Sequence, residues 1–182
     1  MGSKTNGYQT YCYNLDCPGF VQTNRLVGLS SFIVPVSSVG GPQYTVDLEI
    51  FQDLSTKHWW VRLQGTDMGY WPKQLVPSFQ SAGADGFDFG GRVLNTRPNG
   101  HHTSTGMGLG RFPTEGLGKA AFFRNVEIAY ADYERGKYNF PGQAHPASDV
   151  PGCYFVQEGG DFHGPWVYHF YYGGPGRGNS CS

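Results

Sequence analysis
The sequence predicts an all-β fold, a sandwich or barrel of short strands, and three observations carry that prediction. Apolar residues recur with a period of two and rarely of 3.6. Glycine and proline punctuate the chain at 28 and 12 of 182 residues, and aromatics reach 16% against 15% charged. A chain so poor in charge and so rich in aromatics folds around a core and is not disordered.

The clearest strand has Tyr44, Val46, Leu48 and Ile50 alternating with Gln43, Thr45, Asp47 and Glu49, a half-buried strand with one wet face. Before it, Gly19 to Asn24 and Leu29 to Val36 read as strands. After it come His58 to Gln64, Arg92 to Thr96, Ala120 to Ala131, Gly152 to Gln157 and Trp166 to Tyr172, each bounded by Gly, Pro, Asn or Asp. Pro72 suits the first position of a helical turn through Lys73, Gln74 and Leu75, and Pro77 limits its length. The pairs Gly40-Gly41, Gly90-Gly91, Gly159-Gly160 and Gly173-Gly174 supply turns or close backbone contacts. The proline-interrupted stretch Tyr138 to Pro151 reads as a long surface loop.

The length and 20.0 kDa mass fit one domain, placed at residues 11–182 after a tail at 1–10. No apolar run reaches the ~18 to 20 residues of a membrane span, and no charged-then-apolar signal segment opens the chain. The net charge is −1 and the 13 Lys and Arg are scattered, which argues against nucleic acid and anionic lipid as partners.

Four cysteines, Cys12 and Cys17 near the start and Cys153 and Cys181 near the end, allow three disulfide connectivities, of which local pairing is the simplest. Zinc is the competing reading, but CxxC spacing is absent and no His lies at ligand spacing beside either group. Disulfides belong to an oxidising compartment.

Motifs for catalysis are sparse, and neither a cofactor nor a metal is expected. Gly173-Gly174-Pro175-Gly176-Arg177-Gly178 resembles a phosphate loop without the Lys-Ser or Lys-Thr that would follow, so it reads as a turn. His101-His102 lacks a third ligand at suitable spacing and reads as a surface loop. No GxSxG elbow occurs. Asp47 and Glu49, two positions apart on one strand face and so ~7 Å from each other, are a local carboxylate pair able to divide acid and base work. Against this stands their simpler reading as an exposed wet face. Trp59-Trp60, Tyr70-Trp71, Phe122-Phe123 and the run Tyr168, Phe170, Tyr171 and Tyr172 exceed what one core demands. An aromatic-floored cleft for prolyl rings or sugars is therefore expected beside the core.

Several strings together carry a family resemblance. They are Cys12-Tyr13-Asn14-Leu15-Asp16-Cys17-Pro18-Gly19-Phe20-Val21-Gln22-Thr23, Gly69-Tyr70-Trp71-Pro72, Phe89-Gly90-Gly91, Asn95-Thr96-Arg97-Pro98, His102-Thr103-Ser104-Thr105 with Met107-Gly108, and Phe170-Tyr171-Tyr172-Gly173-Gly174-Pro175-Gly176. In this order, across nearly the whole chain, they resemble the neprosin family of plant proteins. The resemblance implies a secreted, antiparallel two-sheet β-sandwich whose characterised members are glutamic endopeptidases cutting after proline at acidic pH. It also implies disulfides Cys12 to Cys17 and Cys153 to Cys181. Secretion and the missing signal segment point in different directions, so localisation is left open.

The departures from the family pattern set the functional expectation. Neprosin-like peptidases use one glutamate in a GW-containing strand ahead of the CYNL segment and another directly after the GG of an FGGE string. This chain begins after the first and reads Phe89-Gly90-Gly91-Arg92 at the second, placing a permanent cation where a proton acceptor stood. The family's GSGHF string appears as Gly108-Leu109-Gly110-Arg111-Phe112. The expectation is a catalytically degenerate pseudo-peptidase acting as a plant defence protein, an insecticidal toxin that binds a proline-rich peptide or a glycan. Trp60, Tyr70, Trp71, Arg92 and His102 are the expected walls of its cleft. The alternative is a glutamic prolyl endopeptidase whose acid dyad was truncated or relocated. An absent upstream strand would also leave a sheet edge open, so a homodimer through that edge is expected.

Overall fold
A computed structural model of the chain describes residues 2–5, 10–13, 15–16, 18–77, 83–84, 86–129, 144–160 and 164–181. The strands are β1 (Gly2–Thr5), β2 (Thr10–Tyr13), β3 (Val21–Gln22), β4 (Leu48–Gln52), β5 (Trp59–Leu63), β6 (Thr66–Trp71), β7 (Ala121–Phe123), β8 (Phe155–Glu158) and β9 (Phe170–Gly173). Single 3-10 turns cover Lys73–Leu75, Pro98–Gly100 and Pro113–Glu115. All strand pairing is antiparallel, in a β1-β2 hairpin, a four-stranded sheet β3-β6-β5-β4 and a three-stranded sheet β7-β9-β8. The fold class is therefore the all-β, antiparallel one expected, with two principal sheets and almost no helix among the described residues.

The chain forms two compact units, Met1–Pro35 with Tyr44–Phe87, and Val36–Gln43 with Asp88–Ser182. The four-stranded sheet belongs to the first. Val61, at 1% exposure, and Met68, at 5%, lie at its middle on β5 and β6. Gly69 is essential to this sheet. Its φ of +157° suits glycine, and a Cβ there would run into the Val21 carbonyl oxygen and the Phe20 ring, separating β3 from β6.

The β4–β5 turn is built by one aspartate. Asp53 Oδ1 accepts hydrogen bonds from Ser55 Oγ (2.7 Å), Thr56 N (2.7 Å) and Thr56 Oγ1 (2.6 Å), and Lys57 supplies the left-handed residue at φ +61°. The Thr56 side-chain and backbone donors, then Ser55, hold the Asp53 carboxyl well below its ordinary 3.8, at about 2. Because the folded value is depressed, the stabilisation is present above the unfolded pKa and is lost as pH falls through about 2. Asp53→Asn should flatten the pH dependence of unfolding between pH 3.8 and 2, measured by urea titration at each pH. An unchanged slope would mean that the turn forms without the ionised carboxylate.

The three-stranded sheet belongs to the second unit. On one face, Phe170 and Tyr168 pack with Val126 into a core joined by Phe123, Val156 and Tyr172. Phe123 stacks on Phe170 at 5.0 Å between centroids and 19° between planes. A second cluster gathers Cys153, Tyr154 and Cys181 with Val93 and Met107, and Cys153 is disulfide-bonded to Cys181. That bond is the one the resemblance implies. The Cys12 to Cys17 pairing lies outside the described residues.

Several elements differ from expectation. Residues 29–36 and 92–96 are irregular, and the strand expected from Ala120 stops after Phe123, followed by a left-handed Asn125 (φ +51°). Residues 130–143, which hold the end of that strand and the first part of the expected loop, lie outside the described residues, and residues 144–151 of that loop are irregular as expected. The apolar side of β4 is not buried, since Leu48 and Ile50 are 52% and 48% exposed.

Candidate functional site
The strand alternation that places aromatics in the sequence also divides them between faces. In the first unit, Val21, Tyr70, Trp60 and Phe51 are successive cross-strand partners and form one row over four strands, while Trp59 and Trp71 pair on the opposite face. Tyr70 sits between His58, stacked at 4.7 Å and 3°, and Trp60 at 4.8 Å and 41°. His58 Nδ1 accepts the Lys73 backbone N–H at 3.2 Å, so the imidazole ties the turn after Pro72 to this stack. Trp71 points the other way onto Phe20 at 4.9 Å, with its indole N–H buried and unbonded. The expected walls Tyr70 and Trp71 therefore do not line a common surface, whereas Trp60 and Tyr70 do.

Beside the aromatic row runs a charged one. Arg62 meets Glu49 at 2.9 Å and Asp67 at 2.6 Å, and its guanidinium lies 4.7 Å from the Phe51 ring centroid. The Asp67 hydrogen bond, then the charges of Asp67 and Glu49, push the Arg62 pKa further up. Glu49, expected to pair with Asp47, thus shares the Arg62 cation with Asp67. The row can hydrogen-bond a polar ligand.

Arg92 and His102 belong to the second unit. A Cβ on Gly91 would collide with Met107 and Tyr172, and Val93 packs on the disulfide cluster. Arg92 and Leu94 in this irregular segment are both exposed. His102, expected in a surface loop and as a cleft wall, is instead buried at 8% exposure. Its Nδ1 bonds the Thr103 carbonyl at 3.0 Å, and its ring meets Tyr154 edge-on at 5.4 Å. The surrounding network explains the His-Thr-Ser-Thr string. The Thr103 and Thr105 hydroxyls bond each other at 2.9 Å, Thr103 N donates to Asn95 Oδ1 at 3.0 Å, and the Tyr154 hydroxyl donates to the Thr105 carbonyl at 2.8 Å. Burial pushes the Tyr154 and Tyr172 phenols up, as it does for Tyr168 with added repulsion from Glu158. These tyrosines are neutral donors, not bases.

A concave surface in this unit involves residues outside the expected set. On the face of the three-stranded sheet opposite its core, Leu117, Gly164, Pro165, Trp166, His169 and Tyr171 line an open depression of about 260 Å³. Trp166 stacks on Phe122 at 4.8 Å and 21°, and the Arg124 guanidinium lies 5.8 Å from its centroid. The neighbouring Val167 has φ +48°, a left-handed conformation rare for a β-branched residue and worth about 1 to 3 kcal/mol of strain. Hydrogen bonds from Val167 N to the Gly164 carbonyl, Asn125 N to the Trp166 carbonyl and Val126 N to the Tyr168 carbonyl hold it there. Strain beside an open aromatic surface marks a place where geometry is kept at a cost. The sequence signal for it was the Tyr168 to Tyr172 run, whose odd members face away from the core.

An antiparallel all-β protein with aromatic surfaces and a buried disulfide cluster is the class these observations define. The chain belongs to the Neprosin family, whose model matches residues 2–175. No helix among the described residues is long and apolar enough to cross a membrane.

Proposed function
We propose that this chain is a non-hydrolytic Neprosin-family protein that binds proline-rich peptides or glycans in plant defence, with an insecticidal effect on the consumer. The observation that carries the loss of hydrolysis is Arg92. It is an exposed cation directly after Gly90-Gly91, where the family resemblance places an acid. Binding is supported by the aromatic surfaces. The Trp166 depression is below the ~300 Å³ at which drug-sized pockets begin, so it suits a single prolyl or pyranose ring. The Trp60 and Tyr70 row with its Arg62 fork offers a second, more polar contact.

Incubation of the protein with proline-rich peptides from pH 2 to 8, read by mass spectrometry, should yield no cleavage products. Oligoproline or a cell-wall oligosaccharide should meanwhile perturb tryptophan fluorescence, with Trp166→Ala weakening that affinity by up to about tenfold, the worth of one aromatic contact. Cleavage after proline would establish the relocated-dyad peptidase instead. The absence of any binding to either ligand class would leave a structural protein.

The β4 edge supports self-association as part of this reading. β4 closes one side of its sheet, and its exposed Leu48 and Ile50 continue Tyr44 and Val46, exposed at 47% and 40%. Pairing of two copies through this edge would satisfy its backbone and cover its apolar side. Sedimentation at micromolar concentration should show a dimer, and Ile50→Lys should return it to monomer. A wild-type monomer would remove this part of the proposal.

A further inference from the structure
We propose that His102, Cys153 and Cys181 form a binding site for Zn²⁺, or another thiophilic divalent cation, once the Cys153–Cys181 disulfide is reduced. An imidazole nitrogen and the two sulfurs all lie within 4.8 Å of one another, and the three residues are 8%, 1% and 4% exposed. The sequence separates them widely, and no spacing rule would join them. The fold brings them together by seating the His102 loop against the disulfide cluster.

One ring nitrogen of the histidine is already committed to a hydrogen bond, and the other carries the lone pair a ligand needs. Its Nδ1–H donates to the Thr103 carbonyl at 3.0 Å, which leaves the lone pair on Nε2. A ligating histidine generally shows this outer contact, with the second ring nitrogen fixed on a carbonyl or carboxylate. Thr103 is itself held by Asn95 and Thr105, so the imidazole has little freedom to turn. One nitrogen and two thiolates are a soft donor set that selects zinc over magnesium or calcium. In a tetrahedral site with Zn–S of ~2.3 Å the sulfurs stand roughly 3.8 Å apart. Side-chain rotation can reach that separation from Cα atoms 4.9 Å apart. Two thiolates also neutralise a divalent cation, which lowers the cost of burying it.

The chemistry needs a reductant, and a dithiol suffices. One of its thiolates attacks a sulfur of the protein disulfide, and its second thiol closes the mixed disulfide. Two electrons and two protons are thereby added to Cys153 and Cys181, while the dithiol becomes a cyclic disulfide. Cation binding then displaces the two thiol protons. Beside Cys181, residues 177–180 are exposed and hydrogen bonds between Gly178 and Cys181 hold their turn, so a dithiol approaches the disulfide from this side. Water would complete the tetrahedron.

The test uses the full chain, reduced with a dithiol, freed of it under argon and titrated with Co²⁺ and Zn²⁺. One cation per chain is expected, with a sulfur-to-cobalt charge-transfer band and the visible d–d bands of a tetrahedral site. Zinc should protect Cys153 and Cys181, but not Cys12 and Cys17, from alkylation mapped by peptide mass spectrometry. The oxidised chain should show none of this, and His102→Ala should weaken cobalt binding at least tenfold with loss of the tetrahedral spectrum. The alkylation map requires no variant, so it decides the matter even if His102→Ala does not fold. Equal reactivity of all four thiols in the presence of zinc would overturn the proposal. So would cobalt binding that is indifferent to His102, or a reduced chain that unfolds and takes up no metal.

Discussion
Phe170→Ala should destabilise the protein by about 3 to 5 kcal/mol, the usual cost of truncating a buried phenylalanine. Phe170 lies on β9, the central strand of its sheet, at 5% exposure, and forms a cluster with Val126 and Tyr168. Its ring contributes the 5.0 Å stack on Phe123 and a second contact to Tyr172 at 6.2 Å. Truncation removes both contacts and leaves a cavity that two hydrogen-bonded neighbouring strands cannot collapse to fill. Against a total stability of roughly 5 to 15 kcal/mol, the loss is a large share. Phe170→Leu keeps most of the volume and should cost under about 1.5 kcal/mol. Leu94→Ala, at an 80% exposed position, should fall within about 0.5 kcal/mol of the parent. Urea unfolding followed by circular dichroism checks the order of the three. If Phe170→Ala costs no more than Leu94→Ala, the cluster around β9 is not the core of this unit.

The parts of the fold legible in the sequence are those where local pattern and tertiary packing agree. β3, β5 and β7 fall inside the expected segments, β8 and β9 overrun theirs by one residue, and the turn after Pro72 forms at Lys73–Leu75 because proline fixes φ there without a donor to lose. β6 is not among the expected strands, and Gly65, Asp67 and Gly69 are residue types depleted in strands. A bulge beside Arg62 and the requirement for no side chain at Gly69 reconcile them with a strand. Conversely, Leu29 to Val36 has the composition of a strand, yet Phe32 and Val34 are 96% and 79% exposed. Composition describes what a segment can pair as, not whether a partner reaches it.

The site was legible in the same partial way. Aromatic excess announced a binding surface, and adjacency obscured which rings share it: Tyr70 and Trp71 are sequence neighbours that the pleat sends to opposite faces. Trp166, His169 and Tyr171 converge through the left-handed turn at Val167, and no periodicity encodes that turn. His102 was read beside His101 as a loop residue, when its neighbours in space are the Thr103 to Thr105 network and Tyr154. Long-range contacts of this kind leave no mark in a local window.

Cys181→Ser should cost about 3.5 kcal/mol, because the Cys153–Cys181 bond closes a loop with a sequence separation of 28 and so restricts the unfolded chain. In a chain of this size the loss lowers Tm by roughly 7 to 14 °C. The folded state should survive, since both residues sit in a packed cluster with Tyr154, Val93 and Met107 that the substitution leaves in place. The change should appear as a lower denaturant midpoint with a somewhat steeper slope, because the unfolded chain without the cross-link exposes more surface. Chemical reduction of the parent chain should reproduce the shift, with any added loss from the Cys12 and Cys17 thiols resolved by alkylation mapping. The two perturbations part company when zinc is added. The reduced parent keeps both thiols beside His102 and should recover part of the lost midpoint, whereas Cys181→Ser has lost one sulfur ligand and should recover far less. Equal recovery in both would show that zinc stabilises the fold through some other group. A midpoint unmoved by Cys181→Ser would mean that the chain end is held by packing alone and that the disulfide adds nothing to it.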